Sequence, residues 1–229
     1  MTVDEMICQL LALNSDQGVP TSALPHGSNL LYQLRNIKIN GKQELFERIF
    51  PLYIRTRLMP YDNDNLKNYI RVIAEVYNAY MDYLSVPNNN PCHHTADFAS
   101  SVLPEMLCTV FREVVNKHSQ NLEVSAQKDL TILCVFSISD GGSIRFKNKR
   151  VDVAVVKPCN LEFNGVSTEL SIPLVVAECK TNLDKNMISG IEHSVSDLKK
   201  TFPECRYFVV AGLSDFDYKK TNYASSGID

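Results

Sequence analysis

Two apolar segments of this chain carry ionisable residues where a buried strand ordinarily carries apolar ones. Asp152 stands in Arg150-Val151-Asp152-Val153-Ala154-Val155-Val156, and Glu178 and Lys180 stand in Pro173-Leu174-Val175-Val176-Ala177-Glu178-Cys179-Lys180. A β-branched run of this kind reads as a strand covered on both faces, so a charge within it needs a partner or a metal ion. Side chains alternate along a strand, which projects Glu178 and Lys180 from one face and Cys179 from the other. If the Asp152 strand pairs beside the Glu178 strand, two carboxylates share an oxygen-rich site suited to Mg²⁺, a hard cation that keeps several waters; Mn²⁺ is expected to substitute. The backbone carbonyl of Cys179 offers a further ligand. Lys180 would orient or deprotonate an attacking water, or neutralise charge developing on a phosphate, while the metal activates that water and stabilises the leaving oxygen. This is the chemistry of phosphodiester hydrolysis. Glu-x-Lys is a low-information pattern, and a structural ion pair at a strand end is the competing account. The triplet nevertheless occurs once in the chain, whereas Asp197-Leu198-Lys199 falls in a helical pattern and Asp217-Tyr218-Lys219 in a polar, turn-like stretch.

The elements that must position these residues follow from hydrophobic periodicity. An apolar helical segment at about 97–117 precedes a strand at about 129–138, the Asp152 strand, the Glu178 strand, a helix, and a last strand over Tyr207–Leu213. Met187, Ile191, Val195, Leu198 and Phe202 mark one buried face of the second helix, with Asn182 or Asp184 as its cap. The expected class is therefore α/β (α+β), with a central mixed sheet in the order α-β-β-β-α-β.

With that order in place the chain resembles the PD-(D/E)XK nuclease superfamily, whose core carries the aspartate on its second strand and the Glu-x-Lys on its third. The likeness covers roughly residues 97–213, and Val151 stands at the tolerant position of the name-giving proline. The wording Ala177-Glu178-Cys179-Lys180-Thr181-Asn182-Leu183-Asp184-Lys185, running into Ile188-Ser189-Gly190-Ile191-Glu192, is similar to type II restriction endonucleases, in particular to subunits of the asymmetric two-subunit enzymes typified by BbvCI. That resemblance implies a partner subunit, related but different, and a short asymmetric site in double-stranded DNA of which each subunit cuts one strand. It also implies Asp152 and Glu178 as metal ligands and Lys180 as a catalytic residue. A further acid often comes from the first core helix in this superfamily, which makes Glu105 a candidate metal ligand; capping of the helix after Pro104 accounts for it as well.

At 229 residues and 45% hydrophobic content, the chain has ample material for one large domain or two modest ones. Seven cysteines without a CxxC pair read as reduced thiols of a cytoplasmic protein. The start Met1-Thr2-Val3-Asp4-Glu5 lacks a basic leader, and no apolar run approaches membrane-spanning length, so a soluble protein is expected. A net charge of −3 is unhelpful to DNA binding taken as a sum. Its distribution matters more: Arg145, Lys147, Lys149 and Arg150 precede Asp152 and follow the turn signal Asp140-Gly141-Gly142. A hairpin there would set phosphate-gripping cations beside the catalytic acid, or simply be a solvated tip.

Residues 1–90 are helix-patterned and separate from a core at 91–229 at the linker Val86-Pro87-Asn88-Asn89-Asn90-Pro91. Ile7, Leu10 and Leu11, then Leu30, Leu31 and Leu34, then Leu45, Phe46, Ile49 and Phe50, then Leu66 to Leu84 form successive amphipathic stretches. Their Arg and Lys residues suit base reading or phosphate contact, or only a solvated face; holding the partner subunit is the alternative role. Cys92-His93-His94 lacks usual zinc spacing and reads as a loop before a helix capped by Thr95. Tyr223-Ala224-Ser225-Ser226-Gly227-Ile228-Asp229 ends without an obvious cap. Taken together, the residues point to Mg²⁺-dependent phosphodiester hydrolysis, and the resemblance implies an endodeoxyribonuclease of a restriction system. A repair or recombination nuclease of the same core, and a non-catalytic DNA-binding or assembly subunit, are the alternatives.

Overall fold

The computed structural model describes residues 1–37, 42–62, 64–92, 96–119, 121–137, 143–163, 165–214 and 227–229. The Gly141-Gly142 turn, His93 and His94, the Thr95 cap, Asp217-Tyr218-Lys219 and Tyr223–Ser226 lie outside the described residues. Two compact units divide the chain, Met1–Glu113 and Val114–Asp229.

The first unit is helical: α1 (Val3–Asp16), a 3-10 turn (Thr21–Ala23), α2 (Pro25–Arg35), α3 (Gln43–Arg57), α4 (Leu66–Ser85), α5 (Ala96–Ser100) and α6 (Val102–His118), the last running across the division. Local chemistry starts these helices. Thr2 and Glu5 form a reciprocal capping box, Glu5 N–H to Thr2 Oγ1 at 3.2 Å and Thr2 N–H to Glu5 Oε2 at 2.7 Å. Asn65 caps α4 through Asn68 N–H at 3.0 Å, and Pro25 opens α2 with the φ a first turn requires. Tyr69, Ile73, Tyr77, Tyr80 and Leu84 recur at helical spacing and are all buried, so α4 is the spine of this core. Phe98, Val102 and Val110 pack into the same core. That packing is why the division falls beyond the polar linker at 86–91: the first part of α6 is built into the helical unit.

The second unit holds β1 (Glu123–Ser137), β2 (Ser143–Phe163), β3 (Val166–Leu183), α7 (Lys185–Thr201) and β4 (Arg206–Ser214), in the expected order. The sheet order is β1-β2-β3-β4; the first two pairings are antiparallel and β3 with β4 is parallel. A parallel neighbour cannot be reached by a tight turn, and α7 is the crossover that returns the chain. Asp184 caps it, accepting from Asn186 N–H at 2.8 Å and Met187 N–H at 2.9 Å. Ile188, Ile191, Val195 and Leu198 line its buried face and share a core with Ala154, Val156, Val176 and Tyr207. Their burial contributes roughly 1.5–3 kcal/mol for each large aliphatic side chain. Met187, expected on that face, is 42% exposed, and Ile188 takes the inward position instead.

Candidate active site

The antiparallel register of β2 on β3 pairs Ala154 with Val176 and Val153 with Ala177, so the next step along both strands places Asp152 beside Glu178. The three residues singled out by burial and spacing come together. Lys180 Nζ donates to Glu178 Oε1 at 2.9 Å, and Cys179 N–H donates to Asp152 Oδ2 at 2.7 Å. That N–H tether links the two strands at the level of the acids. Glu178 Oε2 accepts a third donor, the hydroxyl of Tyr207 on β4, at 3.2 Å.

The electrostatics agree with a crowded acid pair. Burial pushes the Asp152 carboxyl above its usual range; the Cys179 N–H opposes this, the Glu178 charge adds to it and the Lys180 charge subtracts. Burial alone would lower the Lys180 pKa, yet its hydrogen bond to Glu178 and the charges of Glu178 and Asp152 carry it above the ordinary lysine value. Lys180 is therefore an ammonium here. The phenol of Tyr207 is driven well above its normal range by burial and by the Glu178 charge, so it remains a donor.

This donor set fits a hydrated hard cation. Asp152 and Glu178 present carboxylate oxygens from adjacent strands, and their mutual charge is what a divalent ion would relieve. Among the described residues no group of three or more His, Cys, Asp or Glu side chains that could hold a metal ion gathers. The Cys179 N–H, for its part, donates to Asp152.

Across β2 from Asp152 lies a residue that sequence patterns did not flag. β1 pairs Ala126 with Val153 and Lys128 with Val151, which sets Gln127 opposite Asp152, and Gln127 has φ of 49°. A non-glycine residue in the left-handed region inside a strand is strained, and such strain gathers at functional sites. Nothing in a Gln codes for that conformation. Tyr207 was legible in principle, because a phenol in the apolar run Tyr207–Ala211 needs a partner for its hydroxyl.

The expected basic hairpin forms, with β1 and β2 paired from Glu123–Val156 to Ser137–Ser143. Strand alternation sets Arg145, Lys147 and Lys149 on one side of β2 and Arg150 on the other. Lys149 Nζ donates to Ser194 Oγ of α7 at 2.9 Å, and Arg150 pairs with Asp129 at 3.2 Å in the open. An exposed pair of that kind is weak and leaves the guanidinium able to exchange its partner for a phosphate.

Glu105 belongs to a different constellation. It is fully buried, its Oε2 accepting from Gly27 N–H at 2.8 Å and its Oε1 from the Tyr53 hydroxyl at 2.7 Å. Arg57 Nη1 donates to the same Tyr53 hydroxyl at 2.9 Å. Gly27 lies in the first turn of α2, whose N-cap Leu24 has no side-chain cap, so the carboxylate takes the place of a cap for that buried first turn. Burial pushes the Glu105 pKa up, and Arg57, Tyr53 and the backbone donors pull it back. Capping was one of two expected roles, and the helix capped is α2 of the helical unit rather than α6, on which Glu105 sits.

The mixed sheet, its crossover helix and the preceding helix define the class of this chain as one with a restriction-endonuclease fold. The sequence model described as Bpu10I restriction endonuclease matches residues 97–229, well over half of the chain, and the chain belongs to that family. Its fold is similar to a solved structure described as "native BbvCI A2B2 tetramer at low resolution", with a TM-score of 0.61 and 21% identity over 92% of this chain and 82% of that one. No curated protein matches the chain. Among the described residues no helix is long and apolar enough to cross a membrane.

Proposed function

We propose that this chain is an Mg²⁺-dependent endodeoxyribonuclease subunit of a cytoplasmic restriction-modification system. It pairs with a related but different subunit and hydrolyses one strand of double-stranded DNA at a short asymmetric site. The observation that carries this reading is the meeting of Asp152, Glu178 and Lys180 on adjacent strands. Membership of a restriction endonuclease family supports the reaction class, and the A2B2 composition of the BbvCI fold neighbour supports a second subunit.

Asp152 and Glu178 would hold Mg²⁺, with Mn²⁺ as substitute and the Cys179 carbonyl as an added ligand. Bound there, the ion supplies Lewis-acid activation of water and charge stabilisation at the phosphate. Lys180 contributes its ammonium, which orients the water that Glu178 also faces and offsets negative charge as the phosphorus–oxygen bond breaks. Arg150, on the same side of β2 as Asp152, would hold the DNA backbone near it, Arg145, Lys147 and Lys149 would add phosphate contacts from the other side of the strand, and the helical unit would read bases or meet the partner subunit.

The test is supercoiled plasmid incubated with the full chain and Mg²⁺, with and without its partner subunit, beside Lys180→Ala. Discrete nicking that the substitution lowers by about 10²-fold or more is expected. Equal activity of the two proteins would remove Lys180 from the chemistry. Sequence-indifferent degradation would point to a repair nuclease, and binding without cleavage in every pairing to a non-catalytic subunit.

A further inference from the structure

We infer that Tyr207 is a positioning residue of this site: its hydroxyl holds the Glu178 carboxylate in the orientation that receives the metal ion, and Asp229 fixes the backbone that carries it. The inference rests on the assignment of Asp152 and Glu178 as metal ligands proposed above.

Tyr207 is completely buried and packed in the core beneath α7. Phenylalanine would fill that space without bringing in a polar atom, so the hydroxyl is what calls for a reason. Its partner is Glu178 Oε2, at 3.2 Å. β4 sets Tyr207 level with Val176 of β3, two residues before Glu178, and the long phenol spans that offset. Lys180 occupies the other oxygen, so the carboxylate is gripped from both ends and its torsion is fixed. Donors of this kind to a ligating carboxylate set its direction and raise the affinity of the site for its ion.

Tyr207 is itself clamped. Its N–H donates to Asp229 Oδ2 at 2.8 Å, and the Asp229 N–H donates to its carbonyl at 2.9 Å. Among the described residues β4 is the outer strand of the sheet, and both of these backbone groups of Tyr207 pair with Asp229. The Asp229 carboxylate also receives Lys199 at 2.8 Å and Arg206 at 2.9 Å. Ile228 packs against the α7 core. The segment 227–229 thus closes over the β4 edge at the residue that supports Glu178.

The experiment uses the full chain without DNA and follows Mn²⁺ binding through the electron paramagnetic resonance signal of the free ion, with thermal unfolding measured alongside. Glu178→Ala is expected to abolish binding. Tyr207→Phe should weaken it on the order of 10-fold at a nearly unchanged melting temperature, and raise the Mg²⁺ concentration for half-maximal nicking by a similar factor. Asp229→Ala should shift binding in the same direction by a smaller factor. Wild-type Mn²⁺ affinity in Tyr207→Phe, with binding lost in Glu178→Ala, overturns the role of Tyr207 and leaves the site standing. Wild-type affinity in Asp229→Ala removes Asp229 from the proposal. Wild-type affinity in Glu178→Ala overturns the metal assignment itself.

Discussion

Acid should loosen the helical unit through His26. Its ring is buried, with Nδ1 2.9 Å from the Phe98 carbonyl and 3.0 Å from Ser101 Oγ, and Nε2 2.9 Å from the Tyr80 hydroxyl. A neutral ring satisfies this set, Nδ1–H donating to Phe98 and Nε2 accepting from Tyr80. Burial pulls the His26 pKa from 6.5 to about 4, against the opposing pull of the Phe98 carbonyl. Because the folded value is the lower one, the unfolded chain takes up the proton first. Stability from His26 is full at neutral pH, falls as the pH drops below about 6.5, and stops falling below about 4. Those two values correspond to a loss of about 2 kcal/mol between pH 7 and pH 5 and about 3 kcal/mol by pH 4. Glu105 acts in the opposite sense: its folded pKa is raised, so lowering the pH through that value favours the folded state. The His26 contribution is therefore isolated by comparison with His26→Gln, in which Glu105 is retained. Urea unfolding followed by tyrosine fluorescence is convenient, since the chain has 10 Tyr and no Trp. The stability gap between wild type and variant should narrow by about 2 kcal/mol from pH 7 to pH 5. The ring resonance of His26 should titrate near pH 4. A gap independent of pH, or a ring that titrates near 6.5, would refute the reasoning.

Two further substitutions probe packing and strain. A Cβ at position 27 would press directly on the Tyr53 hydroxyl, which Glu105 and Arg57 hold in place, so Gly27→Ala should cost about 2–3 kcal/mol in urea unfolding; wild-type stability would show that this network yields easily. Gln127→Gly relieves the left-handed strain opposite Asp152 but loosens the unfolded chain, two effects of about 1 kcal/mol each, and should leave stability nearly unchanged. Gln127→Val has no such relief and should cost at least about 1 kcal/mol more, an expectation that equal urea midpoints for the two variants would contradict.

The second unit was legible because its signals are local. The run Val153–Val156 and the spacing of Ile191, Val195 and Leu198 report period and burial directly, and Asp152, Glu178 and Lys180 stood out as charges against that background. Contacts between distant parts of the chain left no such trace. Glu105 meets Gly27 across 78 residues, and no local rule says which helix a buried carboxylate will cap. Helical phase was off by one position at Met187 because Met187 and Ile188 are both apolar and only packing against the sheet decides between them. The turn of Lys149 onto Ser194 likewise depends on where α7 lies over β2.

Lys180 also gives the acid pair a resident counter-ion. Two carboxylates on neighbouring strands would repel in an ion-free protein, yet here the ammonium at 2.9 Å already balances one of them and the Cys179 N–H holds the other. Small metallo-domains that lack such a balance wait for their ion before they fold. On the metal assignment proposed above, this sheet would close first and stay latent until the ion arrives. Chelation would then silence the site reversibly while leaving the architecture intact, so that loading, and not folding, would be the step at which activity is switched on.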